Sequence, residues 1–359
     1  MLRERDEKKF DYWCCGNDAN CSGCRNDDDE SPNGGANRTN SGNRGNDHGW
    51  GGVDDQSYQE LAWRGVKKYA LETGLAEGID GYQSFHAVTA TEARSAISDA
   101  VNDGFKTIFA VGYRKINAVD EAVQKYPDRD FVMVGDVAQT RPNVASVTFQ
   151  ANQSSYLAGV AAAKTTKTNT IGLVSGEKSV VMEAFEAGYI AGAKSINPDI
   201  QILHDYVGDF KNDATAKTLA NNMYQAGADV VYQTAGGAGQ GVFEAARSIN
   251  EKRRSADKVW VIGVDTNQSQ SQRGRYQALD ASSNFTLTSV LKRMDQVVYD
   301  IANLAMKDKF PGGEHLVYGL ANDGVSVTRG RMSTEAWMAV QDAKTAILDK
   351  QVVVPETLD

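Results

Sequence analysis

The sequence predicts an α/β protein of two lobes, each a doubly wound parallel sheet. Three observations predict it. From Val53 onward, short apolar runs of strand length alternate with longer stretches of helical periodicity. That alternation starts afresh after residue 165, which sets two α/β units in series. Extended stretches at 145–150, 284–286 and 317–319 fall where the chain would pass from one unit to the other, and they predict a hinge of three crossovers.

In the first unit, 56–73 reads as a helix with Leu61, Ala62, Val66 and Tyr69 at helical spacing. A second helix covers 91–103. The run KTIFAVG at 106–112 is a short buried strand, 118–126 a helix, DFVMVG at 130–135 a strand. A further strand at 144–149 leads into a helix over 154–165. In the second unit, TIGLVS at 170–175 is a strand and 180–195 a helix. The strand 200–206 precedes a helix over 213–226. DVVYQ at 229–233 is a strand, and the glycine loop 236–241 opens a helix over 242–250. VWVIGV at 259–264 is a strand ending at Asp265. A long helix over 286–307, a strand or hairpin at 316–327 and a helix over 334–348 close the chain. The expected division is 51–150 with 286–316 for one lobe, and 151–285 with 317–359 for the other. Parallel sheets place ligands at the carboxyl ends of their strands. Two lobes facing each other that way form a cleft that closes by hinge motion.

Composition narrows the function. The 359 residues carry a net charge of -9, and such a surface repels phosphate backbones, so nucleic acid is no partner. No apolar run is long enough to span a bilayer, and no signal peptide is evident as written. The histidines His48, His86, His204 and His315 are scattered, and neither a metal-binding nor a nucleophile motif appears. The run G-G-x-G-x-G at 236–241 follows a strand, but no acidic residue closes a following strand at the distance a dinucleotide turn needs. The chain reads as a binding protein without a cofactor or metal, not as an enzyme.

Residues 1–52 differ from the rest, being rich in Asn, Asp, Gly, Arg and Cys. One reading is an irregular or disordered polar segment. Cys14, Cys15, Cys21 and Cys24 all lie here, and adjacent Cys14 and Cys15 argue against a zinc site. The other reading is a stretch translated out of frame. Taking the last two bases of each codon with the first of the next lets Asp6 become a start codon. Glu7 and Lys8 become basic, and the text through Cys24 becomes a charge-free apolar run, as in a secretion signal. The same shift over 40–50 permits T-V-A-I-V-A-T-T-T-G-G, a strand running into the glycines at 51–52.

Six segments carry a family resemblance. They are GGVDDQSYQELAWRG (51–65), PNVASVTFQANQSSYLAGVAAAKTTKT (142–168), YVGDFKNDATAK (206–217), GADVVYQTAGGAGQGVFEAA (227–246), VWVIGVDTNQ (259–268) and TSVLKRMD (288–295). Together they resemble the BMP family, the basic membrane protein or PnrA-like nucleoside receptors of bacterial ABC importers. The resemblance covers nearly everything from Gly51 onward. It implies a type I periplasmic-binding fold, a strand just before Gly51, a secretion signal, and a purine nucleoside held between the lobes. It further implies a monomer on the extracytoplasmic face of the cell membrane, secreted or lipid-anchored, that docks on the membrane subunits of an ABC importer.

The resemblance also implies the site. The family's D-x-S-F-N motif matches Asp55, Gln56, Ser57, Tyr58 and Gln59, so Tyr58 inherits the role of stacking on the purine, while Gln59 departs from the family's Asn. A second stacking aromatic matches Phe210. Gly135 stands where the family has an Asp against the base, and the adjacent Asp136 is its stand-in. The ribose-binding groups match Gly236 or Gly237, Asp265 and Lys292. Read without the family, Asp265 is as readily a turn residue, Lys292 a solvated helix lysine, and Tyr58 and Phe210 ordinary core or surface aromatics. Two other functions fit the fold class: a ligand-sensing regulator, which would need a DNA-binding helix-turn-helix that residues 1–50 do not offer, and an NAD-dependent oxidoreductase.

Overall fold

The computed structural model describes residues 10–14, 58–87, 89–269 and 272–358. In chain order the elements begin with β1 (Phe10–Cys14), α1 (Tyr58–Thr73), β2 (Tyr82–His86), α2 (Ala90–Asn102) and β3 (Thr107–Val111). Next come α3 (Ile116–Lys125), β4 (Asp130–Val134), β5 (Val144–Phe149), α4 (Ala151–Thr165) and β6 (Thr170–Ser175). They continue with α5 (Val180–Ile196), β7 (Gln201–Tyr206), α6 (Asp213–Gln225), β8 (Val230–Thr234) and α7 (Gln240–Asn250). Then follow β9 (Trp260–Gly263), β10 (Arg275–Gln277), β11 (Ser282–Asn284), β12 (Thr286–Lys292) and α8 (Met294–Met306). The last are β13 (His315–Tyr318), β14 (Val325–Val327) and α9 (Thr334–Leu348).

Two six-stranded sheets result, in the orders β13-β5-β4-β3-β1-β2 and β14-β12-β9-β8-β6-β7. Every pairing in them is parallel except β12 with β14. Strands such as β3 (TIFAV) and β8 (VVYQT) are buried along their whole length, as central parallel strands covered on both faces must be. Helix starts are set by local chemistry. At α2 the Thr89 hydroxyl accepts from the Glu92 amide at 3.2 Å, and the Glu92 carboxylate accepts from the Thr89 amide at 2.8 Å.

In the first sheet, β1 pairs with β2 and β3 at once, Phe10 lying opposite both Tyr82 and Thr107. Residues 1–50 were read either as an irregular segment or as out-of-frame text, yet Phe10–Cys14 fills the slot between β3 and the edge strand β2, where an unpaired gap would orphan two strand edges. The strand expected from the shifted text at 40–50 lies outside the described residues.

Two expectations are corrected. The stretch 286–307 is not one helix. Thr286–Lys292 is a strand whose first five residues are buried, paired with β9 and β14, and the helix starts only at Met294. Residues 286–292 therefore belong to the second sheet, not to the first lobe. The stretch 316–327, read as a strand or a hairpin, holds two strands that do not pair with each other: β13 pairs with β5 in the first sheet, and β14 with β12 in the second. The short strand β2 and the antiparallel hairpin β10–β11 were not anticipated.

The sheets place the three crossovers at 150, at 293 and at 319–324. They are bonded to one another. The Gln150 amide donates to the Tyr318 carbonyl at 2.8 Å, and the Arg293 amide to the Gly324 carbonyl at 2.9 Å. Phe149 and Tyr318 stack beside them with ring centroids 5.8 Å apart.

The second lobe is held by a close approach of α4 and α5. A Cβ added at Gly192 would lie 2.0 Å from the Tyr156 carbonyl oxygen, and one at Gly188 would lie 2.2 Å from that of Asn152. Backbone on both sides cannot yield cheaply. Gly192→Ala is expected to destabilise the protein by about 1–3 kcal/mol, the range for overpacking, measured as a lower urea midpoint.

Candidate ligand-binding cleft

The functional residues follow from which strand ends carry them. In the second lobe, Ser175, Tyr206, Thr234, Gly263 and Lys292 are the carboxyl-terminal residues of β6, β7, β8, β9 and β12. Because these strands run parallel, all five ends lie along one edge. In the first lobe the corresponding edge holds Tyr113–Lys115, a 3-10 turn directly after Gly112, and Asp136 after β4. The edges face each other. The Arg114 guanidinium, from the turn after β3, donates to the Glu177 carboxylate, two residues beyond β6.

Phe210 lies in the loop after β7, and its ring is laid on backbone. A Cβ at Gly176 would stand 2.2 Å from Phe210 Cε1, and one at Gly236 would stand 3.4 Å from Phe210 Cδ1. Gly236 has φ of 57°, which suits glycine. The Phe210 carbonyl accepts from the Ala238 amide at 2.9 Å, tying the aromatic loop to the glycine turn. Gly237 is half-buried in that same turn. Phe210 is itself half-buried, so part of the ring remains open.

Asp265 sits two residues past β9, 7% exposed, with φ of 64°. A non-glycine residue held in the left-handed region stores strain, and such strain clusters at ligand sites. Its carbonyl accepts from the Lys292 amide at 3.4 Å. Burial pushes the Lys292 ammonium down from its usual range, and the nearby Asp265 carboxylate pushes it back up. Lys292 Nζ lies 4.6 Å from the centroid of the Phe185 ring. The Asp265 charge also reaches Tyr232, whose fully buried hydroxyl is pushed well above its usual range, chiefly by burial. The chain thus brings Phe210 to Gly236, and Asp265 to Lys292, on neighbouring strand ends. Lys292 is the last residue of a strand and not a solvated helix lysine.

In the first lobe Gln59 is buried in the first turn of α1, which Tyr58 opens. Asp136 is half-buried, and its Oδ1 accepts from the Val137 amide at 2.8 Å. Asp55 and Ser57 lie outside the described residues.

Beneath Phe210 runs a polar chain. The Thr234 hydroxyl donates to Ser175 Oγ at 3.0 Å, and His204 Nε2 lies 3.3 Å from that same oxygen. His204 Nδ1 meets the Glu186 carboxylate, which also accepts from the Tyr206 hydroxyl at 2.7 Å. Serine, histidine and glutamate stand here in the order of a nucleophile relay. Ser175 is nevertheless fully buried, and its oxygen already accepts from Thr234, so the chain braces the cleft floor and attacks nothing.

Residues 49–357 match the Bmp family model, described as ABC transporter substrate-binding protein PnrA-like. The chain belongs to the Bmp family. It is similar to the ABC transporter nucleoside-binding protein BmpA of Lactococcus lactis subsp. cremoris (strain MG1363), 43% identical over 305 residues that cover 85% of this chain and 86% of that protein. Among solved structures it resembles an ABC transporter system solute-binding protein from Aeropyrum pernix K1, with TM-score 0.71 and 22% identity, covering 86% of this chain and 92% of that one. It also resembles a transcriptional activator of the comK gene from Bacillus halodurans, with TM-score 0.67 and 20% identity, covering 82% and 95%. At such identities these two likenesses show the fold alone, which receptors and regulators share. The Bmp chain is thus an ABC transporter substrate-binding protein and not an enzyme. Among the described residues no helix is long and apolar enough to cross a membrane.

The Bmp cleft contains residues that sequence reasoning missed. Gly176 supports Phe210, and Gln233 and Gln268 join the ends of β8 and β9: Gln233 Nε2 donates to Gln268 Oε1 at 3.1 Å, which also accepts from the Val264 amide at 3.3 Å. The small pair Ser175-Gly176 directly after an apolar strand was the available signal for the first of these.

Gly176→Ala forces the Phe210 ring off its seat, and the expected result is a loss of ligand affinity with little change in the unfolding midpoint, read by calorimetric titration beside a urea curve. His204 gives a second expectation. Burial lowers its pKa below 6.5 more strongly than Glu186 raises it. Below pH 6.5 the unfolded chain therefore binds the proton before the folded one does, so stability falls as pH drops from 6.5 toward the folded value. His204→Gln is expected to flatten that part of the stability–pH curve measured by urea unfolding.

Proposed function

We propose that this Bmp-family chain is an extracytoplasmic receptor that binds purine nucleosides and delivers them to the membrane subunits of an ABC importer. It would act as a monomer on the outer face of the cell membrane, secreted or lipid-anchored. The observation that carries the reading is the seat of Phe210 on Gly176 and Gly236, one strand away from Asp265. A flat, polarisable purine stacks on such a ring, worth about 1–3 kcal/mol per base. Tyr58, from the opposite lobe, would supply the second face, and the family resemblance assigns Asp55, Ser57, Gln59 and Asp136 to the edges of the base. A carboxylate at a strand end suits the ribose 2′- and 3′-hydroxyls as an acceptor. Asp265 offers one, Lys292 holds it in place, and the turn at Gly236 and Gly237 allows backbone to come close to the sugar. The name of the Lactococcus relative, a nucleoside-binding protein, supports the same class of ligand.

Titration of the chain against adenosine, guanosine, inosine, cytidine, ribose and NAD tests this directly. Purine nucleosides are expected to bind, with ribose and NAD much weaker. Phe210→Ala should lower the affinity by roughly 5- to 150-fold, the equivalent of one lost stacking interaction. Asp265→Ala should weaken nucleosides far more than it weakens their 2′,3′-dideoxy analogues. A folded sample that binds no nucleoside would overturn the reading.

A further inference from the structure

The bond between Arg114 and Glu177 is long-range in a particular sense. The two residues are 63 apart in sequence and belong to different lobes. Neither is part of a hinge crossover, since the chain crosses at 150, 293 and 319–324. Rotation about that hinge must therefore separate them. Glu177 directly follows Gly176, the seat of Phe210, so the bond spans the mouth of the cleft beside the stacking ring.

We propose that Arg114 and Glu177 form a latch between the lobes that exists only in the closed receptor and sets how long a ligand stays bound. The inference rests on the cleft being the ligand site. A contact made in one state only shifts the balance of open and closed forms by its full differential strength, while a contact made in both shifts nothing. Glu177 has a reason to seek a cation. Burial, and the carboxylate of Asp209 beside it, both push its carboxyl up from the usual range. The Arg114 guanidinium is the cation that meets this carboxylate across the cleft. A second attraction spans the lobes in the same sense, since the Glu60 carboxylate on α1 raises Arg273, which burial otherwise lowers. The Arg114 side chain is 54% exposed and that of Glu177 21%, so the latch is of the modest strength that water and salt leave to a surface pair. Modest strength fits a receptor that must release its cargo.

The test uses the full chain and the variants Arg114→Ala, Glu177→Ala, the double variant, and the exchange of Arg114→Glu with Glu177→Arg. Release of adenosine and of inosine is followed by stopped-flow fluorescence at low and high salt. Each single variant should release both nucleosides about three- to fivefold faster, by one common factor. The double variant should be no faster than either single one, the exchange should recover slow release, and high salt should erase the differences. Unchanged release in both single variants, or additive effects in the double variant, would overturn the latch. Unequal factors for the two nucleosides would overturn it too, by marking the pair as ligand contacts. If the parent chain binds no nucleoside, the functional reading fails separately. The latch is then read without ligand, from small-angle scattering. Its loss should raise the radius of gyration relative to the parent at low salt, and an unchanged radius would sink it.

Discussion

Everything at the cleft depends on the hydrogen bonds that tie the three crossovers together. Gln150 to Tyr318 and Arg293 to Gly324 lock the passing segments side by side, and each segment ends or begins a strand. The strands run parallel, so fixing the crossovers fixes which edges of the two sheets meet. They are the carboxyl edges, where loops rather than helices lie between the lobes. A joint of three short segments also has few ways to move. Backbone bonded to backbone resists shear, and the freedom left is a rotation that opens one side. The same joint that builds the site therefore defines the motion that fills and empties it.

Within the second lobe the same logic runs from packing to ligand. The glycine contact of α4 with α5 lets the helices lie backbone to backbone over the sheet, and this holds β6 and β8 in register. Their last residues, Ser175 and Thr234, are joined by hydroxyls at 3.0 Å. Each is followed within two residues by the glycine that carries Phe210. The orientation of one half-buried ring thus rests on buried contacts far behind it. Asp265 shows the same arrangement from the side of strain. Its left-handed backbone is held by Lys292 and by the Gln233–Gln268 brace, and it costs stability that the packed sheet offsets.

Much of this was legible in the sequence, for physical reasons. Buried parallel strands such as TIFAV and DFVMV declare themselves because both faces must be apolar, and the restart of the pattern announced the second lobe. Phe210, Asp265 and Lys292 were singled out through family motifs; Asp265 and Lys292 follow or end the neighbouring strands β9 and β12, while Phe210, from the loop after β7, lies against the glycines after β6 and β8. The failures share a cause. Thr286–Lys292 reads into the following helix without a glycine or proline to break it, and only pairing with β9 and β14 decides that it is a strand. β2 (YQSFH) has no aliphatic residue to mark it, and its partners lie elsewhere in the chain. The role of Gly176 and the bond between Arg114 and Glu177 are tertiary facts, invisible until two loops are brought together. Phe10–Cys14 is the sharpest case: its three aromatics favour a strand, yet they sit in a segment of polar composition, and only the gap between β2 and β3 shows where that strand belongs.

The charges around Phe210 bear on which ligand the cleft can accept. Glu177 and Asp209 are near enough for one to raise the other, and Asp265 lies one strand away from the glycine turn. A phosphate brought to this rim would add negative charge where carboxylates already repel one another. Lys292 does little to offset that. Its ammonium is already drawn to Asp265, and burial works against its charge. Arg114 is committed to Glu177 when the lobes are closed. The neutral nucleoside proposed as ligand would meet none of these penalties: its base would lie on the ring, and its sugar hydroxyls would find an acceptor in Asp265. Under the proposed reading, the arrangement that would favour a nucleoside is the same one that would disfavour a nucleotide.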